Sequence, residues 1–252
     1  MTQSLDPVPN TQALTKIPEI EELTLSISAK NLSPSMLNLD FLKMTGIIPG
    51  DWELMAQPIL SDRISQLSFK NGISILAQPG SVSFRDIVDV KGKKQSVAPE
   101  VASKYVEKLP HAEYQALNIS PRIVLPVLKP KDGARKYITE TLLAPGPWLN
   151  FGKTPVQAGI NLFYELDGCQ LSMTINEANL QQRDQNKGAI SAVMFSGSFS
   201  YNVANENEQT RLNQLAQKLQ NWKKDVDTFR EIVHEKFATQ LPGQEESLFP
   251  IS

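Results

Sequence analysis

Apolar and polar residues alternate in several stretches of the chain, as they do in strands with one buried face. In the first half Leu23, Leu25 and Ile27 alternate with polar neighbours. The same pattern predicts further strands over 52–60, 63–69, 73–78 and 81–88, and later over 114–127, 156–166, 169–177 and 189–203. Asn71-Gly72 and Asp167-Gly168 each stand between two such runs and predict hairpins with type I′ turns.

The strand predicted over 189–203 shows the alternation most clearly. Its odd positions are apolar at Val193, Phe195, Phe199, Tyr201 and Val203, whereas its even positions are polar from Ser196 to Asn202. We therefore expect one face of the sheet to be core and the other to meet water.

Helical spacing of apolar residues predicts four helices between these strands. A short one starts at Ser33-Pro34 and ends before Pro49, and a second covers 99–109. Asp132 is the expected cap of a third, and the last covers 206–241 and ends at Pro242-Gly243.

The order of elements begins again in the second half. When 22–84 is placed on 118–180 at a constant offset of 96, nine of 63 positions are identical without a gap. The matches include Pro49, Gly50 and Trp52, which face Pro145, Gly146 and Trp148. We therefore predict an internal duplication, with the two tryptophans in equivalent sites.

This duplication defines the predicted fold and domains. The class is α+β, with two pseudo-symmetric β-α-β-β-β(-β)-α halves that form one curved antiparallel sheet with helices on one face. The predicted units are a flexible arm over 1–21, a first repeat over 22–112, and a second repeat over 113–252 that carries the long helix.

Two resemblances follow from these patterns. The element order over about 22–240 resembles the duplicated TATA-binding-protein-like fold, in which helices cover the convex side of the sheet. The stretch from Phe69 to Phe84, with Lys70-Asn71-Gly72 in its turn, resembles an uncharacterised protein family of cyanobacteria. Neither resemblance implies an activity.

The last predicted helix carries an apolar seam at heptad spacing. Its members are Leu212, Leu215, Leu219, Trp222, Val226, Phe229 and Val233. Either the seam packs on the chain's own sheet, or its first part, Leu212 to Trp222, contacts a second subunit or another protein.

Composition narrows the class of protein. The chain has 252 residues, 40% of them hydrophobic, and a formal net charge of −2, which is typical of a folded globular protein. Cys169 is the single cysteine, so disulfides are not expected, and no signal-peptide pattern or long apolar window is present. We therefore expect a cytoplasmic protein.

Motifs for catalysis and cofactors are missing from the sequence. The two histidines, His111 and His234, do not belong to an H-E-x-x-H pattern, and there is no G-x-S-x-G, P-loop or G-x-G-x-x-G motif. We expect no metal, no cofactor and no catalytic residue, although loops can assemble an enzyme site without a local motif.

The distribution of charged residues bears on whether the chain binds nucleic acid. Residues 91–136 hold ten Lys and Arg against four acidic residues, but the outward strand positions are mostly neutral Ser, Thr, Asn and Gln. Because a minor-groove binder needs basic and wedging apolar residues on its sheet, we expect no specific DNA binding.

The sequence therefore favours a non-catalytic interaction protein. Its partner is either a second copy of the chain, in a homodimer, or another protein. The candidate binding residues are the seam residues Leu212, Leu215, Leu219 and Trp222, together with the sheet-face residues Ser172, Thr174, Ser196 and Ser198. A small-molecule enzyme and a nucleic-acid-binding protein are the alternatives.

Overall fold

The computed structural model describes residues 19–88, 96–128, 130–181 and 188–242. Its strands are β1 Ile20–Ala29, β2 Ile59–Leu60, β3 Ser65–Ser68, β4 Ser74–Gln78, β5 Ser81–Val88, β6 Tyr114–Pro126, β7 Ile160–Leu166, β8 Cys169–Leu180 and β9 Ile190–Asn202. Its α-helices are α1 Leu39–Met44, α2 Ala98–Lys108, α3 Gly133–Lys136, α4 Glu208–Gln220 and α5 Trp222–Glu231. Of the predicted arm, 1–18 lies outside the described residues, and β1 already begins at Ile20.

All nine strands form one antiparallel sheet in the order β2-β3-β4-β5-β1-β6-β9-β8-β7. Apart from β2, the order reads equivalently from both ends, because β3-β4-β5-β1 in one half corresponds to β7-β8-β9-β6 in the other. At the centre Thr24 of β1 pairs with Ser120 of β6, and 120 − 24 = 96, the offset of the sequence repeat. The predicted α+β class with two similar halves is confirmed.

One face of the sheet and the helices enclose the core. The inward positions of β9 are buried at Val193, Phe195 and Phe199, as the alternation predicts. Helix α2 packs on β1 and β5, whereas α4 and α5 pack on β6 and α3 packs on β8 and β9. Tyr105 of α2 joins the helices to the sheet, since its ring lies 5.4 Å from that of Phe84 in β5.

The turn geometry predicted for both hairpins is wrong. A type I′ turn needs positive φ at both central residues. Only the glycines have it, with 97° at Gly72 and 82° at Gly168. In the first hairpin the Asn71 side chain accepts a hydrogen bond from the Ile73 N–H at 3.1 Å, which is the local bond by which asparagine forms turns.

Residues 52–60 do not form the predicted strand. Only Ile59–Leu60 pairs with β3, and Leu54 makes one isolated bridge with Phe69. Pro58, which has no N–H to donate to a ladder, precedes the short strand. The predicted equivalence of the tryptophans is also wrong, since Trp52 packs edge to face on Phe69, whereas Trp148 is 39% exposed.

The long C-terminal helix is present but is not one continuous α-helix. The α-helix is interrupted at Asn221, which separates α4 from α5 and has ψ of 6°. After α5 it continues as a π-helical segment, Ile232–Phe237, and a 3-10 turn, Ala238–Gln240.

Ion pairs link this helical segment to the start of β1. Arg230 donates to the buried carboxylate of Glu21 at 3.0 and 3.2 Å and to Asp227 at 2.8 Å. One turn later His234 Nε2 lies 3.3 Å from Glu19 Oε1. The interaction with Glu19 raises the pKa of His234, against the opposing effect of partial burial.

This raised pKa predicts a pH-dependent contribution to folding. A histidine whose pKa is higher in the folded chain stabilises the fold fully below its unfolded pKa of about 6.5, and that contribution is lost as the pH rises through the folded value. We expect the stability difference between wild type and His234→Gln to shrink from about pH 5.5 to about pH 8.5 in urea titrations. The stability difference between wild type and Glu19→Gln should shrink over the same pH range. A stability difference that does not change with pH would contradict the prediction.

Candidate interaction surface

The face of the sheet away from the core carries a dense set of hydroxyl and amide side chains. We call it the open face, because its side chains are partly exposed, whereas the alternate side chains of the same strands are buried in the core with those of the helices. Strand alternation places these side chains, since their neighbours in each strand are core residues. All are partly exposed, and they are Thr24, Ser26, Ser83, Asn118, Ser120, Ser172, Thr174, Ser196 and Ser198.

The four sheet-face residues predicted from sequence lie together on this surface. Ser172 of β8 is directly opposite Ser198 of β9, and Thr174 is opposite Ser196. Opposite residues in an antiparallel pair have Cβ atoms about 5 Å apart, so the four side chains form one continuous patch. The sequence therefore predicted their placement correctly, whereas their role in binding stays a prediction.

The four seam residues lie elsewhere and are covered. Leu215 is 0% and Leu219 is 1% exposed, and Leu212 and Trp222 pack against the same core from partly buried positions. The seam therefore packs on the chain's own sheet, which was one of the two alternatives. It offers no apolar surface of useful size to a second protein.

The centre of the open face holds an ion cluster that the sequence analysis missed. Glu22 of β1 lies between two arginines on the flanking strands, with Arg85 Nη2 at 2.8 Å from Oε1 and Arg122 Nη1 at 3.2 Å from Oε2. The Glu22 side chain is 15% exposed, and the arginines are 50% and 46% exposed. Two guanidinium groups against one carboxylate leave a single excess positive charge.

These three residues are far apart in sequence, with separations of 63 and 100 positions. Only the strand order β5-β1-β6 brings them together. The available signal was that Glu22 and Arg85 occupy outward positions of predicted strands, but alternation alone does not say which strands are neighbours.

Beyond this cluster the open face becomes apolar. Ile87 pairs with Glu22, and Ile20 lies opposite Val124, which is opposite Met194. Ile20 is 36% and Ile87 is 49% exposed. The surface thus combines hydroxyl groups, a charged centre and an apolar end, a mixture found in protein interfaces.

A cleft of about 660 Å³ lies on another part of the molecule, between Arg135 and the segment from Phe151 to Gln157. Arg135 Nη2 donates to Asp132 Oδ2 at 2.7 Å, and Phe151 is 87% exposed. Glu177 interacts electrostatically with Arg135, and burial raises the pKa of its carboxyl. The residues that line the cleft include no nucleophile paired with a base, which is the arrangement that covalent catalysis needs.

Cys169 belongs to a small polar group beneath α4 and α5. The Tyr201 hydroxyl donates to Asp225 Oδ2 at 2.7 Å, and Lys218 Nζ lies 4.5 Å from the centre of the tyrosine ring. Burial raises the pKa of Tyr201 and that of Asp225. The thiol is partly buried. These contacts connect the break between α4 and α5 to β9.

Within the described residues, no three His, Cys, Asp or Glu side chains gather in a way that could hold a metal ion. His111 lies on the surface 3.3 Å from Glu208, and His234 lies beside Glu19. No helix in this part of the chain is long and apolar enough to cross a membrane.

No family model matches the chain, and no curated protein matches its sequence.

Proposed function

We propose that the chain is a non-catalytic interaction protein that binds a partner protein through the open face. The observation that carries this proposal is the open face, which is partly exposed among the described residues, with its hydroxyl patch beside the Glu22 cluster and the exposed apolar end. A catalytic function has less support, since the residues that line the cleft at Arg135 include no nucleophile paired with a base.

The chemistry of the open face indicates what kind of partner it fits. The excess positive charge at Arg85 and Arg122 favours an acidic side chain on the partner, because both arginine side chains are about half exposed and a guanidinium has more N–H donors than the one contact with Glu22 uses. Ile20 and Ile87 would pack against an apolar side chain next to that acid. Serine and threonine hydroxyls supply hydrogen bonds around both contacts.

The symmetry of the sheet also supports the proposal that the fold is of the TATA-binding-protein-like type. Its open face, however, has two arginines in a cluster that already contains a carboxylate, and neutral side chains over β8 and β9. Duplex DNA would meet little positive charge there. We therefore retain protein, and not nucleic acid, as the proposed partner.

Site-specific photocrosslinking tests the proposal. A benzophenone amino acid replaces Ser198 on the open face or, as a control, Gln214, which is exposed on α4. We expect a crosslinked protein from position 198 that is absent from position 214. The purified partner should then bind Arg122→Glu at least about tenfold more weakly than wild type, because the substitution reverses the charge it faces.

Two results would overturn the proposal. One is the same crosslinked proteins from both positions, which would mean that the open face has no special role. The other is a purified partner whose affinity is unchanged by Arg122→Glu combined with Ile87→Glu.

A further inference from the structure

The two edges of the sheet differ in length. At one edge β2 has two residues, whereas at the other β7 has seven, Ile160–Leu166. Within the described part of the chain β7 pairs only with β8, and no other backbone group bonds to it. Its outer side therefore presents a row of N–H and C=O groups that can pair with another strand.

Strand β7 lacks most of the features that usually prevent such pairing, and Glu165 is its one charged residue. Proline, lysine and bulges commonly protect an edge. The sequence of β7, Ile-Asn-Leu-Phe-Tyr-Glu-Leu, has no proline or lysine, and its register with β8 is uninterrupted. Phe163, in the middle of the strand, is 69% exposed.

We propose that β7 pairs with β7 of a second copy of this chain, antiparallel, about a twofold axis at Phe163. This register places Phe163 opposite itself, Leu162 opposite Tyr164, and Asn161 opposite Glu165. Every apolar residue then faces an apolar residue, and the one acidic side chain faces an amide that can donate to it. Because the pairing keeps each side chain on its own face, the core sides of both sheets also continue across the axis.

Neighbouring registers are less favourable. An axis at Leu162 places Asn161 opposite Phe163, and an axis at Tyr164 places Glu165 opposite Phe163. An axis at Glu165 brings two carboxylates together, which is destabilising. The sequence of β7 therefore selects a single self-pairing register, which is evidence that the occupant is a second copy.

A charge exchange at Phe163 tests both the partner and the register. We expect wild type to dimerise in sedimentation equilibrium. Phe163→Lys alone and Phe163→Glu alone should each weaken self-association by about tenfold or more, since residue 163 faces its own copy and like charges repel. An equimolar mixture of the two variants should restore the dimer, because lysine then faces glutamate.

Matched control variants use the opposite edge of the same sheet. Ile59 of β2 is 53% exposed, so Ile59→Lys and Ile59→Glu make the same changes in charge at an exposed apolar position. They should leave self-association within about twofold of wild type. Restoration by mixing also excludes misfolding as the reason for dissociation.

Disulfide crosslinking checks the register directly. In a Cys169→Ser background, Phe163→Cys should form a crosslinked dimer on oxidation. Glu165→Cys should not, since the two copies of residue 165 would be about four residues apart along the ladder, roughly 14 Å.

The proposal is overturned if the wild-type chain is monomeric at a concentration of about 100 µM, which is well above the dissociation constants of specific dimers. It is also overturned by dimers that survive both charge variants, or by crosslinking at 165 and not at 163. These outcomes concern the edge strand β7, whereas the test of the open face uses Ser198 of β9 and Arg122 of β6, so the two proposals fail separately.

Discussion

The double substitution Leu215→Glu and Leu219→Glu is expected to unfold the chain. Both leucines are at most 1% exposed in the core between α4 and the sheet. Removing a buried leucine alone costs about 2 to 5 kcal/mol, and an unpaired carboxylate in its place costs more. The sum is comparable to the whole stability of a typical domain, about 5 to 15 kcal/mol. Loss of the far-ultraviolet circular dichroism signal and of the cooperative melting transition would show it.

The matched control places the same two charges on the exposed side of the same helix. Gln214 and Gln217 are exposed, so Gln214→Glu with Gln217→Glu should keep a melting temperature close to that of wild type. A leucine double variant that stays folded while its mass falls from dimer to monomer would contradict the burial of the seam within one chain.

Gly197→Ala is expected to destabilise the chain by about 1 to 3 kcal/mol, because the added methyl group overpacks the core. A Cβ at position 197 would lie 2.8 Å from Cδ2 and Cε2 of Phe229, whose ring is completely buried. The buried ring must therefore shift to make room for the added atom. Urea denaturation of the wild type and the variant measures the difference.

A double-mutant cycle identifies the cause. Phe229→Ala alone should cost about 3 to 5 kcal/mol through the cavity it leaves. In that background Gly197→Ala should cost little, since its methyl group enters the cavity. Gly50→Ala is the control, because a Cβ at Gly50 meets no atom within 4 Å. Additive effects of the two substitutions would contradict direct contact.

Gly197 also illustrates how much of the fold the sequence could predict. Alternation correctly assigned Phe195 and Phe199 of β9 to the core, because a period of two follows from the geometry of any strand. Position 197 belongs to the same inward set, yet it has no side chain. Only the crossing of α5 over β9, a contact between distant segments, explains why glycine is needed there.

The candidate site shows the same division between local and distant information. Alternation placed Ser172, Thr174, Ser196 and Ser198 on the outward face correctly, because a period of two is local to each strand. That the four lie together depends on the pairing of β8 with β9, two strands that neither predicted hairpin turn joins. The Glu22 cluster depends on β1 lying between β5 and β6, which follows from pairing across the pseudo-twofold axis. The seam was ambiguous for another reason, since a heptad pattern fits a helix on its own sheet as well as a helix on a partner.

The two-residue strand β2 sets a limit on assembly. A sheet with two long free edges can add copies at both ends, and each added copy offers a new edge, so growth continues into a fibril. Here the far edge offers only Ile59–Leu60, preceded by Pro58, and this is too short a template for another strand. If β7 pairs as proposed, the long free edge of each copy would be occupied, and the dimer would be closed to polymerisation.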